Sequence, residues 1–281
     1  MTASLSRHDS TWTVDDPAEL ALRIRLRAVR MVAPQGFGYL GQALSAAEQV
    51  AAMFAAARPG RDRLVCSPGH YVIAPFAAAT ELGLLAEEVA DTYGQNGSVA
   101  EAIGTERSPV LDYTCGSLGQ GLSAATGFAL SDRIRGTDRR TYALISDGEL
   151  EEGQVWEAAI FAAHHRLGAL TVLLDANNSQ VDGPIDTITT IEPIADKWAA
   201  FGWHVSDVDG HDIAAVQAAL VAAAADDRPS IVVCRTSTVH GLACLPPDAD
   251  GHFIKLPPPL AEAAVAELTT ALTAMLEARR A

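Results

Sequence analysis

Asp147 and Asn177 display the most specific chemistry in this sequence. A carboxylate and an amide oxygen are hard ligands. They suit Mg²⁺ or Ca²⁺, which take one or two protein carboxylates and complete their shell with phosphate oxygens and water. The two residues lie 30 positions apart. Each alone is also an ordinary turn former, because Asp, Asn and Gly dominate turns. A histidine, His70, closes the stretch Arg61-Asp62-Arg63-Leu64-Val65-Cys66-Ser67-Pro68-Gly69-His70, and a lone histidine is as readily structural as functional. Two glycine-rich loops, Gln35 to Gly41 and Cys115 to Gly121, can bring backbone close to a ligand.

The surrounding elements decide whether the pair can meet. Tyr142-Ala143-Leu144-Ile145 is an apolar run that reads as a short buried strand, and Asp147-Gly148-Glu149 forms the turn that leaves it. Val155, Ala158, Ala159, Ala162 and Ala163 then recur at helical spacing. A second apolar run, Ala169 to Leu174, reads as another buried strand and ends in Asp175-Ala176-Asn177-Asn178. Strand, helix, strand is the unit of a parallel sheet, so Asp147 and Asn177 fall on one edge of it. Ligands bind at that edge in open α/β sheets. The expected fold is α/β, an open, mostly parallel sheet with helices on both faces.

Along the chain, residues 1–16 read as a loose polar arm and 17–281 as one domain. A helix is expected from Pro17 to about Val32, with Asp15 or Asp16 as cap and Pro17 in its first turn. Its Arg23, Arg25, Arg27 and Arg30 read most simply as a solvated face. Helices are further expected from about Ser45, from Leu122 to about Ile134, from Ile191 to Phe201, from Ile213 to Ala225 and from Leu260 to about Arg279. Strands are expected at Trp203-His204-Val205 and Pro229 to Cys234, and Asp209-Gly210-His211-Asp212 reads as a capping turn. Gly119-Gln120-Gly121-Leu122-Ser123-Ala124 fits a loose dinucleotide fingerprint. However, Leu111-Asp112-Tyr113-Thr114 is a poor buried strand to precede it, and no acidic strand end follows at the required distance.

Composition excludes several classes. The chain has 281 residues, 49% of them hydrophobic, enough for a large core and too many for a disordered chain. A formal net charge of −15 argues against a nucleic-acid partner. It leaves a diphosphate open, because a cation and a helix N-terminus can hold one without basic side chains. Cys66, Cys115, Cys234 and Cys244 show no CxxC spacing, so neither a zinc site nor a disulfide framework is expected. No apolar stretch reaches membrane-spanning length, and the N-terminus lacks an apolar signal core, so a cytoplasmic location with no membrane partner is expected.

Aspartate-glycine at one strand end, a spacer, then Asn closing the next strand resembles the thiamine diphosphate motif. GELEEGQVWEAA, LLDANNSQVDG and YTCGSLGQGLSAATGFAL resemble the amino-terminal half of transketolases, and the resemblance runs from about Leu20 to about His252. It implies the thiamine diphosphate-binding fold, with Asp147, Asn177 and the carbonyl of Ser179 holding Mg²⁺ (or Ca²⁺) on the cofactor's diphosphate. It implies cofactor contacts from His70, Gly116, Ser117, Leu118, Gly148 and Glu149, and places Glu152 near a dimer interface. His70 would approach the diphosphate or thiazolium. His252, which lies 16 positions after Thr236, would be a substrate-pocket histidine, with His240 the nearer alternative. Tyr39 stands where the family carries a substrate-side histidine. A second such histidine is absent at Ala102-Ile103-Gly104.

The resemblance further implies a transferase that moves a two-carbon ketol unit from a ketose to an aldehyde. The glutamate that activates the cofactor belongs to a pyrimidine-binding domain, which this sequence lacks. A partner subunit is therefore expected to supply it, in an α2β2 heterotetramer. The altered pocket also leaves open a decarboxylating 2-oxo acid acyl or acyloin transferase, or a non-catalytic scaffold subunit.

Overall fold

The computed structural model describes residues 11–246, 249 and 251–280. Six strands make the central sheet: β1 (Arg63–Pro68), β2 (Tyr113–Cys115), β3 (Thr141–Ser146), β4 (Leu170–Ala176), β5 (His204–Asp209) and β6 (Ser230–Arg235). Their spatial order is β2-β1-β3-β4-β6-β5, and every neighbouring pair is parallel. The principal helices are α1 (Pro17–Val32), α2 (Leu40–Ser45), α3 (Ala47–Ala56), α4 (Ile73–Glu81), α5 (Gln120–Ile134), α6 (Gly153–His164), α7 (Ile194–Ala200), α8 (Ile213–Ala225) and α9 (Pro258–Ala278).

The apolar runs are continuous because the inner strands are buried on both faces. Side chains alternate between two cores, as the period of two requires. Leu64, Cys66, Leu144, Leu173, Val232 and Cys234 face α1–α4, α8 and α9. Val65, Ala143, Ile145, Val172, Leu174, Ile231 and Val233 face α5, α6 and α7. Asp16 caps α1 by accepting from the N–H groups of Ala18 and Glu19. Among the described residues no helix is long and apolar enough to cross a membrane.

Of the four arginines of α1 that read as a solvated face, only Arg30 is exposed. Arg25 is buried, because α3 presents Glu48 to it in a two-pronged ion pair at 2.7 and 2.5 Å and α2 presents the Leu44 carbonyl. Arg27 pairs with Glu81 and Glu87. Burial opposes ionisation of Glu48, but His211 and the Arg25 guanidinium override it and hold the carboxyl down at about 2.

From β1 the sheet grows to one side through β2 and to the other through β3, so the strand order reverses between β1 and β3. In open α/β sheets such a reversal leaves a ligand crevice at the carboxyl ends of the strands. At those ends His70 follows β1 and Asp147 follows β3. The expected poor strand at 111–114 is realised as β2, a three-residue edge strand bonded to β1 alone.

Candidate functional site

Adjacent parallel strands bring Asp147 and Asn177 together. Ser146 on β3 pairs with Asp175 on β4, and the Asp147 N–H bonds to the Asp175 carbonyl. Asn178 adopts a left-handed conformation (φ 59°), which Asn tolerates better than most residues. Its N–H donates to Asp147 Oδ2 at 2.6 Å, and the Gly148 N–H donates to Oδ1 at 2.9 Å. The Asp147 carboxylate is buried. Among the described residues no lysine or arginine lies within ion-pair reach of it. Burial, and secondarily the neighbouring Asp175, push its carboxyl up to about 8 despite the backbone donors.

Asn177 is oriented by its neighbours. Its Nδ2 donates to Asp175 Oδ2 and to the Tyr71 hydroxyl, each at 2.8 Å, and its Oδ1 accepts from the Ser179 N–H. Asp175 is the residue that sequence reasoning missed. Fully buried, it accepts from Ser45, Gln49, Tyr71, Asn177 and Thr236, which draws α2, α3 and the loops after β1, β4 and β6 into one network. Its only signal in the sequence is an acid at the end of an apolar run. Beside Asp147 a cleft of about 220 Å³ opens, lined by Asn178, Asp186, Thr190, Glu192 and Arg235 among others.

The second part of the site is a cluster of rings. Tyr39, His70 and His252 lie mutually close, with centroids 5.2 Å (Tyr39–His70), 5.1 Å (His70–His252) and 5.9 Å (Tyr39–His252) apart. Burial, with His252 adding, lowers His70 to about 3, so its imidazole is neutral near pH 7. A two-stranded antiparallel ribbon, Phe37–Gly38 against Ile254–Lys255, brings the Tyr39 and His252 loops together. Gly41 permits their contact, since a Cβ there would lie 1.8 Å from the Gly251 carbonyl oxygen. Gln42 donates to the His252 carbonyl at 3.1 Å. His240 lies elsewhere, stacked on His211 at 3.6 Å. His211 in turn accepts from the Ser237 N–H and faces Glu48.

The loop after β2 exposes Gly116 and Ser117 on the crevice edge. It passes close to the turn after β1, where a Cβ on Gly69 would meet the Cys115 carbonyl oxygen at 2.6 Å. Glu149 differs from the expectation of a cofactor contact. It has no exposed surface, and its carboxylate is filled by Ser67, Gly119 and Ser146. Burial raises its carboxyl to about 7 against those three donors.

A divalent cation fits this donor set. Asp147 is a buried carboxylate short of positive charge, and the amide nitrogen of Asn177 is tied back by Tyr71 and Asp175, while its oxygen, which accepts one hydrogen bond from the Ser179 N–H, keeps a lone pair to offer. Comparison with known proteins is consistent with that chemistry. A family model described as "Transketolase, thiamine diphosphate binding domain" matches residues 17–275. The transketolase family protein y4mO of Sinorhizobium fredii is 38% identical over 252 residues, which is 85% of this chain and 90% of that protein. The 6-deoxy-6-sulfo-D-fructose transketolase subunit SqwG of a Clostridium species is 38% identical over 256 residues, 87% of this chain and 93% of that one. The transketolase of Campylobacter jejuni superposes with a TM-score of 0.82 at 23% identity, over 90% of this chain and 42% of that chain, a likeness of fold.

Proposed function

The chain belongs to the transketolase family, and from that premise we propose that it is the diphosphate-binding subunit of a split ketol transferase. It would move a two-carbon ketol unit from a ketose to an aldehyde, with thiamine diphosphate and Mg²⁺ bound. The observation that carries this reading is the buried, cation-deficient Asp147 beside an oriented Asn177 at the carboxyl edge of the parallel sheet.

Asp147, Asn177 Oδ1 and the Ser179 carbonyl would hold the cation on the diphosphate. Gly116, Ser117 and Leu118 would lie against the cofactor's rings. Thiamine diphosphate, once bound, supplies a carbon nucleophile that cleaves and remakes the bond beside a carbonyl. The protein's task is then to bind, orient and exclude water. His70 is neutral in its half-buried setting, so it can donate or accept a hydrogen bond without bringing a charge into the pocket. His252 and the phenol of Tyr39 face the same space and would hold substrate oxygens.

The activating glutamate would come from a pyrimidine-binding partner, in an assembly of two copies of each chain. Support comes from relatives that match along most of their own length, one of them named as a subunit, whereas this chain spans 42% of the Campylobacter transketolase. The test is to purify the chain alone and with its co-expressed partner. Each sample receives thiamine diphosphate, Mg²⁺, a ketose phosphate donor and an aldehyde, and mass spectrometry looks for an acceptor lengthened by two carbons. Product from the complex alone is expected. Full turnover by the single chain would refute the split arrangement, and a complex that binds no cofactor would refute the function.

A further inference from the structure

The peptide that joins Leu118 to Gly119 is held at both polar ends by one short segment. Its N–H, on Gly119, donates to Glu149 Oε1 at 2.6 Å. Its carbonyl, on Leu118, accepts from Gln154 Nε2 at 2.9 Å. A peptide unit is planar, so gripping both ends fixes its tilt and the direction in which the flanking residues leave it. Gly119 has φ +80°, and a Cβ there would press on Glu152 and Gln154 at 3.0 Å, so no other residue could take this turn unstrained.

The grip is anchored in the sheet. Glu149 Oε1 also accepts from Ser67 Oγ on β1 at 2.5 Å, and Oε2 accepts from the Ser146 N–H on β3 at 3.1 Å. Gly121 packs so tightly on Ser67 that a Cβ would sit 2.4 Å from its Cα. Hydrogen bonds to a carboxylate are shorter and about twice as strong as neutral ones. The Cys115–Gly119 loop is therefore fastened to the turn that carries Asp147, although the two are far apart in sequence.

We infer that Glu149 and Gln154 form a clamp on the Leu118–Gly119 peptide that sets the distance between the two ends of the cofactor site. This rests on the cofactor reading above. One end, at Asp147 and Asn177, takes the cation and diphosphate. The other, at Gly116 to Leu118, takes the rings. Neither clamp residue need touch the cofactor. Both are positioning residues, and loosening them should weaken whatever spans both ends while sparing a ligand that occupies only the first.

Magnesium pyrophosphate is such a ligand, and thiamine diphosphate spans both ends. Calorimetry on the complex with its partner would compare the two for wild type, Gln154→Met, Gln154→Lys and Glu149→Gln. Loss of one hydrogen bond predicts thiamine diphosphate binding weaker by about fivefold to tenfold in Gln154→Met. Magnesium pyrophosphate binding should stay within about twofold of wild type, because its contacts are unchanged. Gln154→Lys, which keeps a donor, should recover most of the loss. If buried Glu149→Gln does not fold, the Gln154 pair decides alone. Equal weakening of both ligands, or no weakening in Gln154→Met, would overturn the clamp. Failure of the wild-type complex to bind thiamine diphosphate would instead sink the cofactor reading, and the clamp with it.

Discussion

Replacing Asp147 by Asn tests the cation site without substrate or partner. In the folded chain free of cation, burial and Asp175 move this carboxyl from its ordinary 3.8 up to about 8. Between those values the folded state keeps a proton that the unfolded chain has released. Stability is therefore greatest below the unfolded value and is lost as pH rises through about 8. At ~1.4 kcal/mol per pH unit the loss approaches roughly 5–6 kcal/mol at the alkaline end. Asn cannot ionise, but its NH₂ must face a backbone N–H, from either Gly148 or Asn178, at a cost of about 1–3 kcal/mol. In chelator at pH 8 the variant should be more stable than wild type by about 3 kcal/mol, or roughly 6 °C in Tm. At pH 5 wild type has lost only about 1–2 kcal/mol, so the two curves should meet or cross. Millimolar Mg²⁺ should raise the wild-type Tm at pH 8 and leave the variant unmoved. Thermal unfolding followed by circular dichroism from pH 5 to 8.5, with and without Mg²⁺, measures all of this. A flat wild-type profile, or a variant that is less stable at pH 8 in chelator, would refute the reasoning.

Three further perturbations follow from particular contacts. In Gly41→Ala the new carbon would start 1.8 Å from the Gly251 oxygen. The His252 segment must then shift by roughly 1 Å, which should lower turnover by about 100-fold. Thiamine diphosphate affinity, measured by calorimetry, should hold within about twofold, and unchanged turnover would show that His252 placement is immaterial. Arg25→Met leaves Glu48 buried without its guanidinium and should cost about 3–5 kcal/mol in urea unfolding; a loss under about 1 kcal/mol would mean that His211 suffices. Tyr39→Phe keeps the ring packing and removes only the hydroxyl. If the phenol holds substrate, kcat/KM should fall by about tenfold or more, and an unchanged value assigns Tyr39 to packing alone.

The unit from β3 through α6 to β4 was legible because its apolar runs are continuous and its turns are acidic and glycine-bearing. The same holds for α1 and α8, which carry Asp caps and unbroken helical spacing. β2 was not legible, since Tyr113-Thr114-Cys115 is short, half-buried and bonded on one side only. α2 begins at Leu40, ahead of the expected start, behind Tyr39, which gives no side-chain cap and hence no local signal. The least legible features are contacts between distant segments. Nothing near Arg25 announces Glu48, and nothing near Gly41 announces Gly251. Spacing arguments reach only as far as one helix or one strand pair. A buried arginine, or a glycine required by another loop, depends on how separate elements are stacked. The resemblance carried His252 to its place beside His70, and the ribbon that holds it there, Phe37–Gly38 with Ile254–Lys255, is too short to have a pattern.

The buried acids at the carboxyl edge differ in how many protein donors each gathers, and that difference sorts their roles. Asp175 collects five donors from segments spread across the chain and knits α2, α3 and three loops together. Glu149 collects three, and Glu48 is matched by Arg25 and His211. Among the described residues, Asp147 accepts hydrogen bonds from the N–H groups of Gly148 and Asn178. An ionised carboxylate offers about four lone-pair sites. Asp147 is thus left with acceptor capacity that the fold does not fill, next to another carboxylate. A sequence that needed Asp147 only for its turn could place Ser or Asn there and escape the electrostatic penalty. Retaining a charge in that position is intelligible if a cation completes it, with Asn177, whose nitrogen Asp175 ties back and whose oxygen accepts only from the Ser179 N–H among the described residues, as its neighbour.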